Sequence, residues 1–200
     1  GEFLLLLNND AVVQPDTLAA AVRRMDQDPK VGAVGGAILL WDGALQEAGS
    51  IIWRDGSCFG YGRGDDPAAP AYDFVRDVDY CSGAFLLVRR ALFDATGGFD
   101  TEYVPAYYEE SDFCVRLWES GHRVVYDPAV RIRHFEFASS GERSEQAITL
   151  QVRNRGRFVA KHPGFLGRQR EPSPAAVLFA RHRLAPDKRR ILFVDDRSPR

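Results

Sequence analysis

Cysteine is scarce and poorly spaced for cross-linking. Cys58, Cys81 and Cys114 are odd in number, far apart and free of any CxxC, which argues against a disulfide framework and a thiolate zinc site and fits reduced thiols in a cytosolic setting. Nothing beside them would activate a thiolate, so they are read as packing residues. A charge excess is missing too: 26 Lys and Arg against 28 Asp and Glu leave a net charge of -2, so the overall balance calls for no nucleic acid and no anionic membrane surface. No apolar run approaches the roughly eighteen residues of a transmembrane segment, no signal-peptide pattern opens the chain, and no internal repeat is found. What remains, 45% apolar and 27% charged residues in a chain of 200, is an ordinary globular composition with enough material for a real core.

The chain is organised around Phe3-Leu4-Leu5-Leu6-Leu7-Asn8-Asn9-Asp10. Five large apolar residues without polar alternation predict a strand covered on both faces, as in a parallel sheet. Asp10 then stands at the strand exit, where open α/β sheets collect ligands and an acid is well placed to hold a metal. The plainer alternative is that Asn8, Asn9 and Asp10 only form a turn. The chain opens on this buried-type strand rather than on methionine, so a fragment is expected, with earlier strands missing and weak nucleotide binding by itself.

Downstream, Pro15-Asp16 marks a helix start, and Leu18, Ala21, Val22 and Met25 share one face up to Asp28-Pro29. Val31 to Leu40, interrupted by Gly32, Gly35 and Gly36, reads as a strand with close backbone approaches. Short strand pieces around Ser50–Trp53 lead into a glycine- and proline-rich stretch reaching Tyr72, predicted to be a mobile loop. Phe85–Val88 is a further buried strand, and Arg90–Thr96 a brief helix stopped by Gly97-Gly98. Phe113, Cys114, Leu117 and Trp118 form one face of a helix ending at Gly121. Val124–Tyr126 and Val130–His134 read as two strands separated by Asp127-Pro128, and Glu142–Lys161 as a longer helix. Residues 1–165 are taken as one domain, 166–189 as a linker able to dock on something apolar, and 190–200 as the first strand of a further domain.

Several side chains could carry chemistry. Glu109, Glu110 and Asp112 sit at a helix start, where the dipole alone favours acids. Asp112 can pair with Arg116 one turn on, which would make it structural. That leaves Glu109 or Glu110 to accept a proton from an incoming hydroxyl. His134 ends a strand; a lone histidine is more often structural, yet a divalent metal could be its neighbour. Arg153, Arg155 and Arg157 could hold phosphates, although such a helical face is usually just solvated.

The run Leu7-Asn8-Asn9-Asp10 with its Pro-Asp helix start, Cys81-Ser82-Gly83-Ala84-Phe85, Gly97-Gly98-Phe99-Asp100, and Tyr108-Glu109-Glu110-Ser111-Asp112-Phe113-Cys114-Val115-Arg116-Leu117 with Gly121 and His134 behind it resembles the second half of a family 2 glycosyltransferase. Each motif alone is weak; their order and spacing over residues 2 to about 162 are specific. The resemblance implies a GT-A fold, a mixed α/β sheet flanked by helices. It also implies a nucleotide-sugar donor, a Mn or Mg ion and inversion at the sugar carbon. Asp10 matches the last acid of the family's metal-binding motif, with Asn8 where the first acid stands, so the implied metal ligands are Asp10 and His134. Glu110 falls where the family carries the second acid of its Glu-Asp pair, leaving the base between Glu109 and Glu110. Asn8, Asn9, Ser82, Gly83, Ala84 and Arg157 would line the donor; Tyr107, Tyr108 and Asp112 would meet the acceptor, a glycan or a lipid-linked sugar. The setting implied is cytoplasmic, including the inner face of the cell membrane. The run 190–199 is similar to the opening strand of a second glycosyltransferase domain.

Two other classes compete. A nucleotidyltransferase would need a second metal-holding carboxylate and a basic glycine-rich triphosphate loop, neither of which is visible. A non-catalytic carbohydrate-binding or scaffold domain would keep the sheet without turnover.

Overall fold

The computed structural model describes residues 1–135 and 145–183. Nine strands and six helices follow in chain order: β1 (Phe3–Leu7), β2 (Ala11–Val13), α1 (Thr17–Gln27), β3 (Val31–Leu39), β4 (Leu45–Ala48), β5 (Ser50–Ile52), β6 (Cys58–Gly60), β7 (Arg76–Asp77), β8 (Phe85–Arg89), α2 (Arg90–Ala95), α3 (Glu109–Glu119), β9 (Arg123–His134), α4 (Glu145–Lys161), α5 (Pro163–Leu166) and α6 (Val177–Ala180). The main sheet runs β1-β8-β3-β9-β2, with β4 added to β3 and β7 to β9. Only the β3–β9 pairing is parallel, so the sheet is mixed.

Alternation along the strands builds a core on each face. Leu86 and Val88 of β8 and Val124 and Tyr126 of β9 join Phe113, Cys114 and Leu117 of α3 with Phe158 of α4. Phe85, Leu87 and Val125 point the other way, toward Ala20, Ala21 and Met25 of α1. The same division explains the unbroken apolar run of β1: Leu4 and Leu6 pack on one cluster, Phe3 and Leu5 on the other. The parallel, fully covered strand predicted there is corrected. β1 pairs antiparallel with β8 at the sheet edge, and its residues are half-buried or exposed. Two-sided apolarity reports helices on both faces, not strand direction.

Glycines set the closest approach in the sheet. A Cβ on Gly36 would stand 1.9 Å from the Val130 carbonyl oxygen and one on Gly35 2.4 Å from Cys81 Cβ, so β3 lies against its neighbours as only glycine permits. Where two strands are predicted around Asp127-Pro128 there is one, β9. Its register with β3 jumps from Gly36↔Asp127 to Ala37↔Arg131, and the Asp127–Val130 segment bulges over Gly36. Leu18, predicted on the buried face of α1, is exposed, and Thr17 takes its place.

The stretch predicted to be a mobile loop is packed, and the segment read as a linker able to dock on something apolar lies on the core. Tyr61 and Tyr72 are buried with ring centroids 5.2 Å apart, and the Tyr72 carbonyl accepts from Tyr126 Oη at 2.9 Å. Residues 166–183, expected as a linker, return over the core. The Arg54 amide donates to the Arg170 carbonyl at 2.9 Å. Arg183 reaches buried Asp79 at 2.7 Å and lies over the rings of Trp118 and Phe165. The strand predicted at 190–200, residues 184–189 and the start of the Glu142–Lys161 helix lie outside the described residues. Among the described residues no helix is long and apolar enough to cross a membrane.

Candidate active site

The turn Asn8–Asp10 joins β1 to β2, and β2 pairs with the end of β9 so that Ala11 stands opposite His134. That pairing, with the Phe135 amide donating to the Asp10 carbonyl at 2.9 Å, brings an acid and a histidine 124 positions apart into contact. Asp10 Oδ1 lies 3.0 Å from His134 Nε2 and Asn8 Nδ2 lies 3.2 Å from the same nitrogen. The other ring nitrogen, Nδ1, is 2.8 Å from Gln46 Oε1. Asn9 is exposed at the tip of the turn.

The Asn8 amide donates to the Ala84 carbonyl at 3.2 Å, placing the Ser82-Gly83-Ala84 loop beside this cluster. Ser82 Oγ accepts from the Ala84 amide at 3.2 Å, and the Ser82 amide donates to Glu47 Oε1 at 3.2 Å. On the far side of the loop stands the start of α3: a Cβ built on Gly83 would be 3.9 Å from Glu110 Cβ. Asp10 and Glu110 are thus linked by one short relay of contacts through residues 82–84. They share a single region of the molecule.

Glu110 is a strongly perturbed acid. Burial, then the neighbouring Glu109 charge and that of Glu47, push its carboxyl up to about 7; burial also raises Glu109. The Oε2 atoms of both are shut off from solvent without a hydrogen-bond partner. A carboxyl poised near neutrality with one oxygen unpartnered is suited to receive a proton. By contrast, the Cys58 and Cys114 thiols are pushed up to about 12 by burial and pack as expected.

Backbone strain presents the acid pair. Tyr107 and Tyr108 both take positive φ, 76° and 79°, a conformation costly for aromatic residues that persists only when held from outside. The holder is Asn154 of α4. It is fully buried, and its Nδ2 donates to the carbonyls of Tyr103, Ala106 and Tyr107 at 2.9, 2.8 and 3.0 Å. Tyr108 Oη donates to the Gly56 carbonyl at 2.9 Å and its ring packs on Phe158.

Residues 1–159 match the family model described as "Glycosyltransferase like family 2". The chain belongs to this family. It is 34% identical over 146 residues to the O-antigen biosynthesis protein RfbC of Myxococcus xanthus, covering 70% of this chain and 11% of that protein. It is 28% identical over 177 residues to the N-acetylglucosaminyl-diphospho-decaprenol L-rhamnosyltransferase of Mycobacterium tuberculosis, covering 82% of this chain and 57% of that protein. The chain therefore spans between about a tenth and somewhat over half the length of these two relatives. Among solved structures, GalNAc-T7 with UDP, GalNAc and Mn2+ superposes with a TM-score of 0.60 at 15% identity, over 80% of this chain and 31% of that one. That likeness concerns the fold, which is the GT-A type of mixed α/β arrangement.

Within this family 2 chain the predicted residues separate. Asn8, Asp10, His134, Ser82, Gly83, Ala84 and Glu110 fall along the one relay described above, with Glu109 beside Glu110. Asp112 does not join them as an acceptor contact. It is fully buried, bonded to Arg116 at 2.7 Å, His162 at 2.8 Å and Tyr103 at 3.2 Å, with Lys161 Nζ at 2.7 Å. Burial alone would raise its carboxyl, but the bonds from His162 and Lys161 and the Arg116 charge hold it down at about 2. Arg157 is exposed and donates to the Glu102 carbonyl, so its contacts brace a loop and include none of the donor-side residues. Arg155 likewise serves Asp55, at 2.6 Å. Gln46, Glu47 and Asn154 were not foreseen as site residues. Nothing local marks them, because their partners lie 88, 35 and about 50 positions away.

Asp10 and His134 offer a carboxylate, which suits Mn or Mg, with an imidazole beside it. Among the described residues no group of three or more His, Cys, Asp or Glu could hold a metal ion. Two protein ligands are enough for a divalent ion whose remaining positions are taken by water and substrate phosphates. The residues fit the group.

Proposed function

We propose that this chain is the catalytic part of an inverting glycosyltransferase that moves a sugar from a nucleoside-diphosphate donor to a hydroxyl on a glycan or lipid-linked acceptor, assisted by Mn or Mg. The observation that carries the reading is the buried Glu110 carboxyl, raised to about 7 and linked through Ser82-Gly83-Ala84 to the Asp10–His134 pair.

Asp10 and His134 would hold the cation, which supplies neutralising charge to the diphosphate as it leaves. Ser82, Gly83 and Ala84 line the donor sugar, the bare Gly83 leaving room between the loop and the base. Glu110 accepts the hydroxyl proton while the acceptor oxygen bonds to the anomeric carbon. The bond from that carbon to the diphosphate oxygen breaks, and its electron pair leaves with the nucleoside diphosphate. Attack opposite the leaving group inverts the centre. Tyr107, half-buried beside the acid pair, would offer a face to the acceptor ring. The relatives named for O-antigen biosynthesis and L-rhamnosyl transfer make lipid-linked sugars the first acceptors to try.

Incubating the protein with UDP-, GDP- and dTDP-sugars, acceptor and Mn would test the reading. Free nucleoside diphosphate with a product of opposite anomeric configuration is expected. Asp10→Ala should lose at least about 100-fold in rate with an unchanged circular dichroism spectrum. Release of pyrophosphate instead would mark a nucleotidyltransferase, and full activity of the variant would remove Asp10 from its role.

A further inference from the structure

β4 carries an irregularity whose position matters. Ile38 of β3 faces Glu47 and Leu39 faces Leu45, so Gln46 is the extra, unpaired residue of a bulge. Bulges re-aim side chains and are frequent beside active sites. Here the bulged side chain is almost fully buried, at 9% exposure, and ends 2.8 Å from His134 Nδ1.

The hydrogen-bond directions around His134 follow from its neighbours. Asn8 Nδ2 can only donate, so at 3.2 Å it places a lone pair on His134 Nε2. A neutral imidazole accepting at Nε2 carries its proton on Nδ1. Gln46 Oε1, which can only accept, stands where that proton points. Asp10 Oδ1 stands 3.0 Å from the same Nε2, whose one lone pair already takes the Asn8 hydrogen. Two acceptors facing each other at that distance are an uneasy pair, which either a proton on Nε2 or a cation held by both would relieve.

We propose that Gln46 is the positioning residue of this site: by accepting from Nδ1–H it fixes the tautomer and ring orientation of His134, so that Nε2 faces Asp10 as a ready metal ligand. A residue at this place in a metal site is worth about 10–100-fold in metal affinity. The metal half of the inference rests on the transferase reading given above; the tautomer half does not.

The test uses this chain without metal, at one fixed pH. Long-range 1H–15N correlation distinguishes a protonated from a lone-pair ring nitrogen, and with four histidines in the chain a His134→Asn spectrum assigns the signals. The expected result is a protonated Nδ1 and a lone-pair Nε2 on His134. A proton on Nε2 in the unaltered chain overturns the proposal without any variant. Gln46→Leu should then give mixed tautomers, whereas Gln46→Glu, which still accepts, should restore the single one. Free Mn2+ followed by electron paramagnetic resonance should show at least 10-fold weaker binding in Gln46→Leu and binding within about 3-fold of normal in Gln46→Glu. An unchanged tautomer and affinity in Gln46→Leu would overturn the proposal. Absence of Mn2+ binding by the unaltered chain would count against the metal reading, while the ring spectrum still decides the role of Gln46.

Discussion

Glu110 is a residue whose environment and proposed task agree. Burial and the charges of Glu109 and Glu47 raise its carboxyl to about 7, so the base form is reached on the alkaline side of neutrality. The transfer rate should rise with pH through a limb centred near 7, and Glu110→Gln should abolish the limb along with at least about 100-fold of the rate. A pH profile of kcat for both proteins checks this. Stability runs the other way. The folded state favours the protonated acid, so its stabilising contribution is full below the ordinary value near 4.5 and is lost as pH rises through about 7. Urea unfolding should therefore show Glu110→Gln gaining on the unaltered chain between pH 5 and pH 9. A constant difference across that range would mean that the carboxyl is unperturbed. The acid pair was legible in the sequence because its members are adjacent. Which of the two stands against the Ser82-Gly83-Ala84 loop was not, since that depends on Gly83, 27 positions earlier, coming within contact of Glu110.

At the scale of elements, apolar patterning located most strands and helices, because alternation and helical spacing are local. Pairing direction and bulges escaped it. β1 has the apolar content of a covered parallel strand but pairs antiparallel at an edge, and Asp127-Pro128 reads as a break where β9 continues through a bulge. The basic face of α4 was similarly opaque. Arg153, Arg155 and Arg157 donate to Val104, Asp55 and Glu102 respectively, so the helix acts as a brace on two loops, with Asn154 at its buried centre. Asn154→Leu removes the donor to three carbonyls, of which that of Tyr103 is bonded in a buried position and those of Ala106 and Tyr107 in part-buried ones. A loss of about 2–4 kcal/mol in urea unfolding is expected, together with faster amide exchange over residues 103–108 and a lower kcat. If exchange there is unchanged, the left-handed pair Tyr107-Tyr108 is held by something other than α4.

For the molecule as a whole, the segment read as a docking linker makes specific polar contacts with the core. Composition shifts near residue 166, and proline and arginine content argued for a linker, yet residues 166–183 supply the counter-ion of a buried acid. Asp79 Oδ2 accepts from the Ile52 amide at 2.9 Å while Oδ1 takes the Arg183 guanidinium. Trp118 Nε1 donates to the Asp79 carbonyl at 3.2 Å. This acid lies three residues before Ser82, so the returning segment is tied to the chain that leads into the Ser82-Gly83-Ala84 loop. Sequence could not show it, because Arg183 meets Asp79 across 104 positions. Burial raises the Asp79 carboxyl even with Arg183 in place. Removing the partner would leave a buried charge that only a proton can relieve. Arg183→Ala should therefore destabilise by about 3–5 kcal/mol at pH 8. The loss should shrink toward pH 4, where the neutral acid costs less to bury, because a raised carboxyl contributes most to stability at low pH and loses that contribution as pH rises. Parallel urea titrations of the two proteins at both pH values measure the difference. An equal loss at pH 4 and pH 8 would assign it to the packing of the guanidinium on Trp118 and Phe165 rather than to its charge, and no loss at either pH would restore residues 166–183 to the role of a linker.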